Sequence, residues 1–430
     1  AARRAYASGL GRPSAGAMHI FTGSEVRIAI VGAGIVGVTT AYELAADGHE
    51  VIVFERGDAV AGGASFASGS LVAPALVGPG PTLGLVEIPP RLAGLGLARW
   101  AWRQRRSLRP GAAATEARTR LLRLADAGHA RLQALHAELG LDTERAEGAL
   151  VLLRRKQDLD RARAPIKRLA ELGVAFELLD GERARALEPG LDAAVPLRAA
   201  IRLPTAGVVN CRQFAHALKA QAQRLGAQWR FGATVRALRA GTAPAIVGDD
   251  GEHGFDAVVV AAGAASAELL APLGVRLALA AVWGHSLTAP LREVDGHGML
   301  GPRAAVVDER HAVTIVRLGR RVRVAGGAEL GGDAQTLHEP TLATLYAVLH
   351  DWFPGAAQLA QAQRWKGARA MLPDGLPLVD GAGVDGIWLN LGHGGGGWTI
   401  AAATARLLAD RLGGRASAID GRALGIDRLR

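Results

Sequence analysis

The 430-residue chain predicts a protein of mixed α/β and α+β class, in which a discontinuous Rossmann-like dinucleotide-binding domain carries an inserted antiparallel-sheet domain. Three observations carry this expectation. A glycine turn, Gly32-Ala33-Gly34-Ile35-Val36-Gly37, stands between a short β-branched run and a helical stretch. Apolar runs of the buried-strand kind recur late, at 257–261 and 386–389. Between them, residues 278–288, 304–308, 312–317 and 321–326 alternate as antiparallel strands do.

In chain order, 26–31 reads as a first buried strand, 38–46 as a helix stopped by Gly48, and 50–54 as a second strand. Together they make a βαβ unit. Residues 57–90 are rich in Gly, Ser, Ala and Pro and read as loop, and 91–140 read as helices. A strand at 149–153 and a helix at 157–172 follow. A second nucleotide-domain block, about 200–270, holds a helix at 211–225, strands near 228–231 and 235–238, and the strand 257–261 ending at Gly263. After the alternating strands come a helix at 340–351, the strand 386–389 and a helix from about 398 to 412. The expected division is a disordered leader at 1–24, then nucleotide-binding parts at 25–110, 196–275 and 365–430. Between them lie helices with the first part of a substrate domain, 111–195, and its second part, 276–364.

Composition narrows the function classes. Lysine and arginine total 50 against 40 acids, a net charge of +10, yet the only lysines are Lys156, Lys167, Lys219 and Lys366. An arginine bias beside abundant alanine and glycine reads first as base composition, so nucleic-acid binding, resting on charge alone, is not expected. Cys211 is the single cysteine, which excludes an intrachain disulfide and a thiolate metal cluster and fits a reducing compartment. No H-E-x-x-H and no clustered ligand set occurs, so no metal site is expected. No uninterrupted apolar stretch reaches membrane-spanning length; the run 71–97 is broken by Pro74, Pro79, Pro81, Pro89 and Pro90. The first 24 residues carry Arg3, Arg4 and Arg12, lack the apolar centre of a secretory signal, and precede the first acid, Glu25.

In the glycine turn, Gly32 makes the tight bend, Gly34 admits the backbone to a pyrophosphate, and Gly37 lets helix and strand approach. Ile35 and Val36 open the helix, whose N–H groups and positive dipole end face phosphate. Glu55, 18 residues after Gly37, can accept hydrogen bonds from a ribose diol. Arg56 has two readings, a cover for the adenine or ribose edge and a solvated charge. The motif alone does not separate FAD from NAD.

Later segments supply that distinction. They are Ser65-Phe66-Ala67-Ser68-Gly69, Asn210-Cys211-Arg212, Val235, the stretch 258–263 with Ala262 and Gly263, Trp283-Gly284-His285-Ser286-Leu287, and 323–329. The most specific are Gly367-Ala368-Arg369-Ala370-Met371-Leu372-Pro373-Asp374-Gly375 and Asn390-Leu391-Gly392-His393-Gly394-Gly395-Gly396-Gly397-Trp398-Thr399. On these, from about Val26 to Asp420, the chain resembles the FAD-dependent D-amino acid oxidase superfamily, and most of all its bacterial D-amino acid dehydrogenase branch.

The resemblance implies non-covalent FAD. It sets Ser65 and Ser68 along the flavin, a backbone group of Val235 against adenine, and Ala262 and Gly263 under the cofactor. Gly392, Gly394, Gly395, Gly396 and Gly397, with Trp398 and Thr399 opening the last helix, would bring bare N–H groups to the flavin pyrimidine oxygen. His393 would orient that loop. Arg369, in what reads as a rigid turn, would clamp a substrate carboxylate. His285 and His311 stand where the branch tends to have tyrosines and would bind the carboxylate or cover the pocket as catalytic residues, against the reading of surface or core residues without ligand contact. Ser68 stands where the branch has Asn, Ser70 where it has Gly, and Ala370 and Leu372 where it has Pro and Thr.

The reaction implied is hydride transfer from the Cα of a D-amino acid to flavin N5, followed by imine hydrolysis to a 2-oxo acid and ammonia. Two alternatives stand beside it. One is oxidation of glycine, sarcosine or a hydroxyproline, and the other is a flavin-binding subunit that serves a partner complex. The implied partners are an amino acid substrate and an electron acceptor, either oxygen or a quinone or other electron-transfer partner. The expected place is the cytoplasm, with peripheral contact on the inner face of the membrane. Arg91, Arg99, Arg103, Arg105, Arg106 and Arg109 with Trp100 and Trp102 support that contact, against the reading of an ordinary solvated face.

Overall fold

The computed structural model describes residues 25–77, 95–294 and 298–429. The leader 1–24, Arg91 and the prolines from Pro79 to Pro90 lie outside them. Two large sheets organise the rest. A six-stranded sheet runs in the order Leu378–Gly381, Ile387–Leu391, Ala257–Val260, Arg27–Val31, Glu50–Glu55 and Gln228–Phe231. All its pairs are parallel except the hairpin at the Leu378–Gly381 edge. Its central strands are buried on both faces, as continuous β-branched runs require.

The second sheet runs Gln363–Met371, Ala280–Pro290, Arg321–Leu330, Val313–Leu318, Ala305–Asp308, Arg145–Leu153, Ala199–Val209 and Leu71–Val72, with Glu177–Asp180 pairing off this path. It is antiparallel except where Ala305–Asp308 lies parallel to Arg145–Leu153. The mixed fold class expected from the sequence is therefore present: a parallel nucleotide-binding layer joined to a largely antiparallel domain.

Sheet membership redraws three of the expected boundaries. Leu71–Val72, Ala199–Val209 and Gln363–Met371 all pair in the second sheet, although 25–110, 196–275 and 365–430 were assigned to nucleotide-binding parts. The pairing partners lie far away in sequence, so no local pattern announces them.

Helices Ile35–Ala46 and Gly397–Leu412 pack on one face of the six-stranded sheet, and Ala112–Leu139 packs on Gly397–Leu412. Glu43, fully buried in the first of these, joins them. Its carboxylate accepts from Arg131 Nε at 2.7 Å and from Arg406 Nη1 at 2.9 Å. A buried carboxylate is tolerated because each oxygen meets a guanidinium. Gly128 permits the closest helix contact, since a Cβ there would stand 2.2 Å from the Thr399 carbonyl.

Candidate active site

A cavity of about 1310 Å³ runs from the end of the parallel strands to the second sheet. At its nucleotide end, Gly32 has φ +105°, and a Cβ there would meet the Ala261 carbonyl at 2.6 Å. A Cβ on Gly37 would lie 1.9 Å from the Gly32 carbonyl. Gly34 caps the helix with no side-chain bond, and its added Cβ would find only Ser65 Oγ, at 3.7 Å. The first and third glycines are thus required by packing, while the second leaves backbone open to the cavity.

Glu55 braces the turn by accepting from Ala33 N at 2.7 Å and Gly57 N at 2.8 Å. Ser65 Oγ accepts from Ile35 N at 3.0 Å. Val36, exposed Arg56, Val235, Ala262 and Gly263, the last at φ +59°, also line this end.

The late glycine loop forms the opposite wall. Gly392 and Gly394 have φ of +79° and +56°. His393 is buried, and its Nε2 is 2.9 Å from Thr404 Oγ1. That hydroxyl already donates to the Ala401 carbonyl, so it accepts from the ring. Burial pushes the His393 imidazole down to about 3, so it stays neutral. It ties the loop to its helix. A Cβ on Gly396 would meet Val77 Cγ1 at 2.4 Å, whereas one on Gly395 would meet only Arg369 Cδ, at 4.0 Å. The Trp398 indole turns away, donating to the Val209 carbonyl and packing on Phe214.

Arg369 lies in the strand Gln363–Met371, not in the rigid turn read from its glycine and proline neighbours; that turn begins after Met371. Its guanidinium packs flat against Gly284, where a Cβ would stand 2.3 Å from Nη2. Nη1 donates to the Gly327 carbonyl at 2.9 Å. Among the described residues no carboxylate pairs with it, although burial opposes its charge. A half-buried guanidinium with unused donors on a cavity wall is suited to an anionic ligand.

His285 is buried on the same wall and accepts at Nε2 from the His338 N–H at 3.1 Å. Its proton therefore sits on Nδ1, which has no protein partner. Burial, with Lys366 nearby, pushes its imidazole down to about 4. His311 also lines the cavity, but its Nδ1 is held by Asp308 at 2.9 Å. Asp308 in turn accepts from Arg154 and Trp352. The ring thus pins the hairpin turn, and the two histidines do not act on one another.

Sequence reasoning missed three positioning groups. Lys366 Nζ is buried, donates to the Thr336 carbonyl at 2.6 Å and pairs with Glu329 at 2.9 Å. Arg323, also buried, donates to Ser70 Oγ, the Ser68 carbonyl and Thr288 Oγ1, and so fixes the Ser68–Ser70 loop. Gly284 was noticed only as part of a segment. The rarity of lysine was the one signal that could have singled out Lys366.

The cavity suits a long dinucleotide. It has an uncapped helix N-terminus and a braced acid at one end. At the other it has bare glycine backbone and two buried N–H donors without protein partners, Trp365 Nε1 and His285 Nδ1. Cys211 lines it as well, but burial pushes its thiol up to about 12, which removes the thiolate needed for attachment. Among the described residues no cluster of His, Cys, Asp or Glu could hold a metal ion.

Fold and site together define a dinucleotide-binding protein whose cavity ends on a wall suited to a small anion. The family model "FAD dependent oxidoreductase" matches residues 27–411, and the chain belongs to that family. FAD is therefore its cofactor. A protein of Cereibacter sphaeroides named D-amino acid dehydrogenase is 39% identical, covering 94% of this chain and 95% of its own. One of Rhizobium johnstonii with the same name is 35% identical, covering 94% and 100%. The crystal structure of glycine oxidase from Geobacillus kaustophilus superposes with a TM-score of 0.75 at 23% identity, covering 94% of this chain and 98% of that one.

Proposed function

We propose that this protein oxidatively deaminates D-amino acids, giving 2-oxo acids and ammonia. The carrying observation is Arg369, a guanidinium without a carboxylate partner among the described residues, beside the bare Gly395 backbone. The names of the relatives at 35–39% identity support the same reading. FAD, when held by the glycine turn 32–37 and the glycine loop 392–397, would supply the acceptor for a hydride from the substrate α-carbon.

The chain's own residues supply position and electrostatics. Arg369 offers parallel donors to the α-carboxylate, and Gly327 and Gly284 fix its rotamer, so binding orients the Cα–H bond. The acids that line the cavity, Glu55, Asp58 and Glu268, all belong to the nucleotide-binding side. With cations at the substrate end, the neutral amine is favoured over the ammonium, and no dedicated base is required there. The N-terminus of helix Gly397–Leu412, uncapped by any side chain, places a positive potential where negative charge grows.

The test is anaerobic mixing of the flavin-loaded protein with a panel of D-amino acids, their L-enantiomers, glycine, sarcosine and hydroxyproline. Bleaching by D-amino acids is expected. Bleaching by the secondary amines or glycine alone would replace this reading, and no bleaching by any amine would point to a non-catalytic flavin subunit.

The dehydrogenase names also favour a quinone or another electron-transfer acceptor over oxygen, reached on the inner face of the cytoplasmic membrane. Among the described residues no helix is long and apolar enough to cross a bilayer. Helix Leu95–Ser107 supports surface contact. Trp102 is 56% exposed with Arg106 over its ring, and Arg99, Arg103 and Arg105 are exposed around it without an ion pair among the described residues. Trp100, by contrast, is buried and donates to the Ala278 carbonyl, so it anchors the helix to the protein. Neutralising Arg103, Arg105 and Arg106 together is expected to release the protein from anionic vesicles in a flotation assay, by about 1 kcal/mol per charge. Unchanged binding would remove the membrane contact from this reading.

A further inference from the structure

We infer that Arg310 is a second anion-recognition point at the substrate end of the cavity, one that fits the enzyme to D-amino acids with a side-chain carboxylate. The inference rests on the proposed D-amino acid oxidation and specifies which members of that class the site prefers.

Arg310 sits in the hairpin turn between the strands Ala305–Asp308 and Val313–Leu318. The turn is held in a demanding conformation, since Ala312, which is not glycine, has φ +51°. Asp308 enforces it by accepting both the His311 N–H, at 3.0 Å, and the His311 ring, at 2.9 Å. The tip of the turn abuts the strand that supports Arg369. A Cβ on Gly326 would lie 3.1 Å from the Ala312 carbonyl, and the next residue, Gly327, gives its carbonyl to Arg369. One short run of backbone therefore joins the two arginines across the cavity wall.

Arg310 lines that cavity, is half-buried, and among the described residues has no ion pair, hydrogen bond or ring contact. The nearby acids face other cations. Asp308 is shared by Arg154, His311 and Trp352, and Glu309 lies 3.6 Å from Arg161. Lys366 is already neutralised by Glu329. Two guanidinium groups without a carboxylate among the described residues, Arg369 and Arg310, thus line one cavity and are linked through the backbone of Gly326 and Gly327. An amino acid brings one carboxylate to Arg369, and a second carboxylate on its side chain supplies the charge that Arg310 lacks. The Thr314 side chain on the same wall adds a hydroxyl for it. A neutral side chain would leave Arg310 to water and gain nothing from it.

The test compares the holoenzyme with its Arg310→Ala and Arg310→Lys variants in two measurements. The first is the ratio of kcat/KM for D-glutamate and D-aspartate to that for D-alanine. The second is the affinity for glutarate, which has no amine to oxidise, relative to propionate, measured by titration calorimetry. Arg310→Ala is expected to lower both ratios by about tenfold to a hundredfold, the range for one charge-assisted hydrogen-bonded contact, and Arg310→Lys to recover part of the loss. Ratios that stay within about twofold of the parent, or a parent that oxidises D-alanine but neither diacid, overturn the subsite. If no D-amino acid reduces the flavin, the activity reading is the one that fails, and the glutarate titration still decides the subsite.

Discussion

Replacing Arg369 by alanine is expected to lower kcat/KM for any amino acid substrate by about a hundredfold to a thousandfold, the cost of removing one partner of a desolvated, hydrogen-bonded charge pair. The variant should keep its flavin and its stability. Among the described residues the guanidinium makes one hydrogen bond, to the Gly327 carbonyl, and no helix or strand depends on it. Arg369→Lys should recover little, because an ammonium on a shorter reach cannot offer two parallel donors. Gly284→Ala provides the matching test. Its methyl would stand 2.3 Å from Arg369 Nη2, at the far end of a flexible side chain. The fold should absorb that methyl easily, but only by moving the guanidinium, so kcat/KM should fall by about tenfold or more with little change in stability. Rapid anaerobic reduction measured beside thermal unfolding separates the two effects. Wild-type reduction rates in both variants would show that the carboxylate is held elsewhere.

The second large effect is expected at the glycine turn. Gly37→Ala places a methyl 1.9 Å from the Gly32 carbonyl, and both groups are backbone, so the helix must leave its strand. Overpacking of this kind costs about 1–3 kcal/mol or more, and here it falls on the phosphate-binding backbone itself. The protein should purify without colour and unfold at a lower temperature. Gly34→Ala should behave differently. Its methyl meets only Ser65 Oγ, at 3.7 Å, so the apoprotein should be as stable as the parent and yet fail to retain flavin. The ratio of flavin to protein absorbance, with unfolding curves for the apoproteins, distinguishes the pair. Equal flavin retention in Gly37→Ala and the parent would refute the packing argument.

The glycine turn, the two flanking strands and the late glycine loop were legible in the sequence because their signals are local. A β-branched run, a Gly spacing and a helix start each declare themselves within a dozen residues. The antiparallel strands were legible from alternation in the same way. What escaped depends on contacts between distant positions. Arg369 read as part of a turn because Gly367 and Pro373 flank it, but pairing of Val282 with Arg369 makes the segment a strand. The bond of His311 to Asp308 is likewise invisible until the hairpin forms. Nothing local marks Glu43, and only the arrival of Arg131 and Arg406 from two other helices makes it a core residue. The missing partner of Arg310 is likewise a property of the assembled wall and of no window of sequence.

The way the two sheets are interleaved also governs the order in which the chain can fold. The first strand lies at the middle of the parallel sheet, and the Arg27 N–H finds its acceptor, Asp256, 229 residues later. During synthesis that strand must wait with an unpaired edge until more than half the chain has emerged. Long-range pairing of this kind is slow and leaves sticky edges exposed. The cavity walls come from the same late-meeting segments, so FAD can engage all of them only after they have come together. Bound flavin then stabilises the assembled state by mass action, and the supply of cofactor becomes a determinant of how much folded protein accumulates.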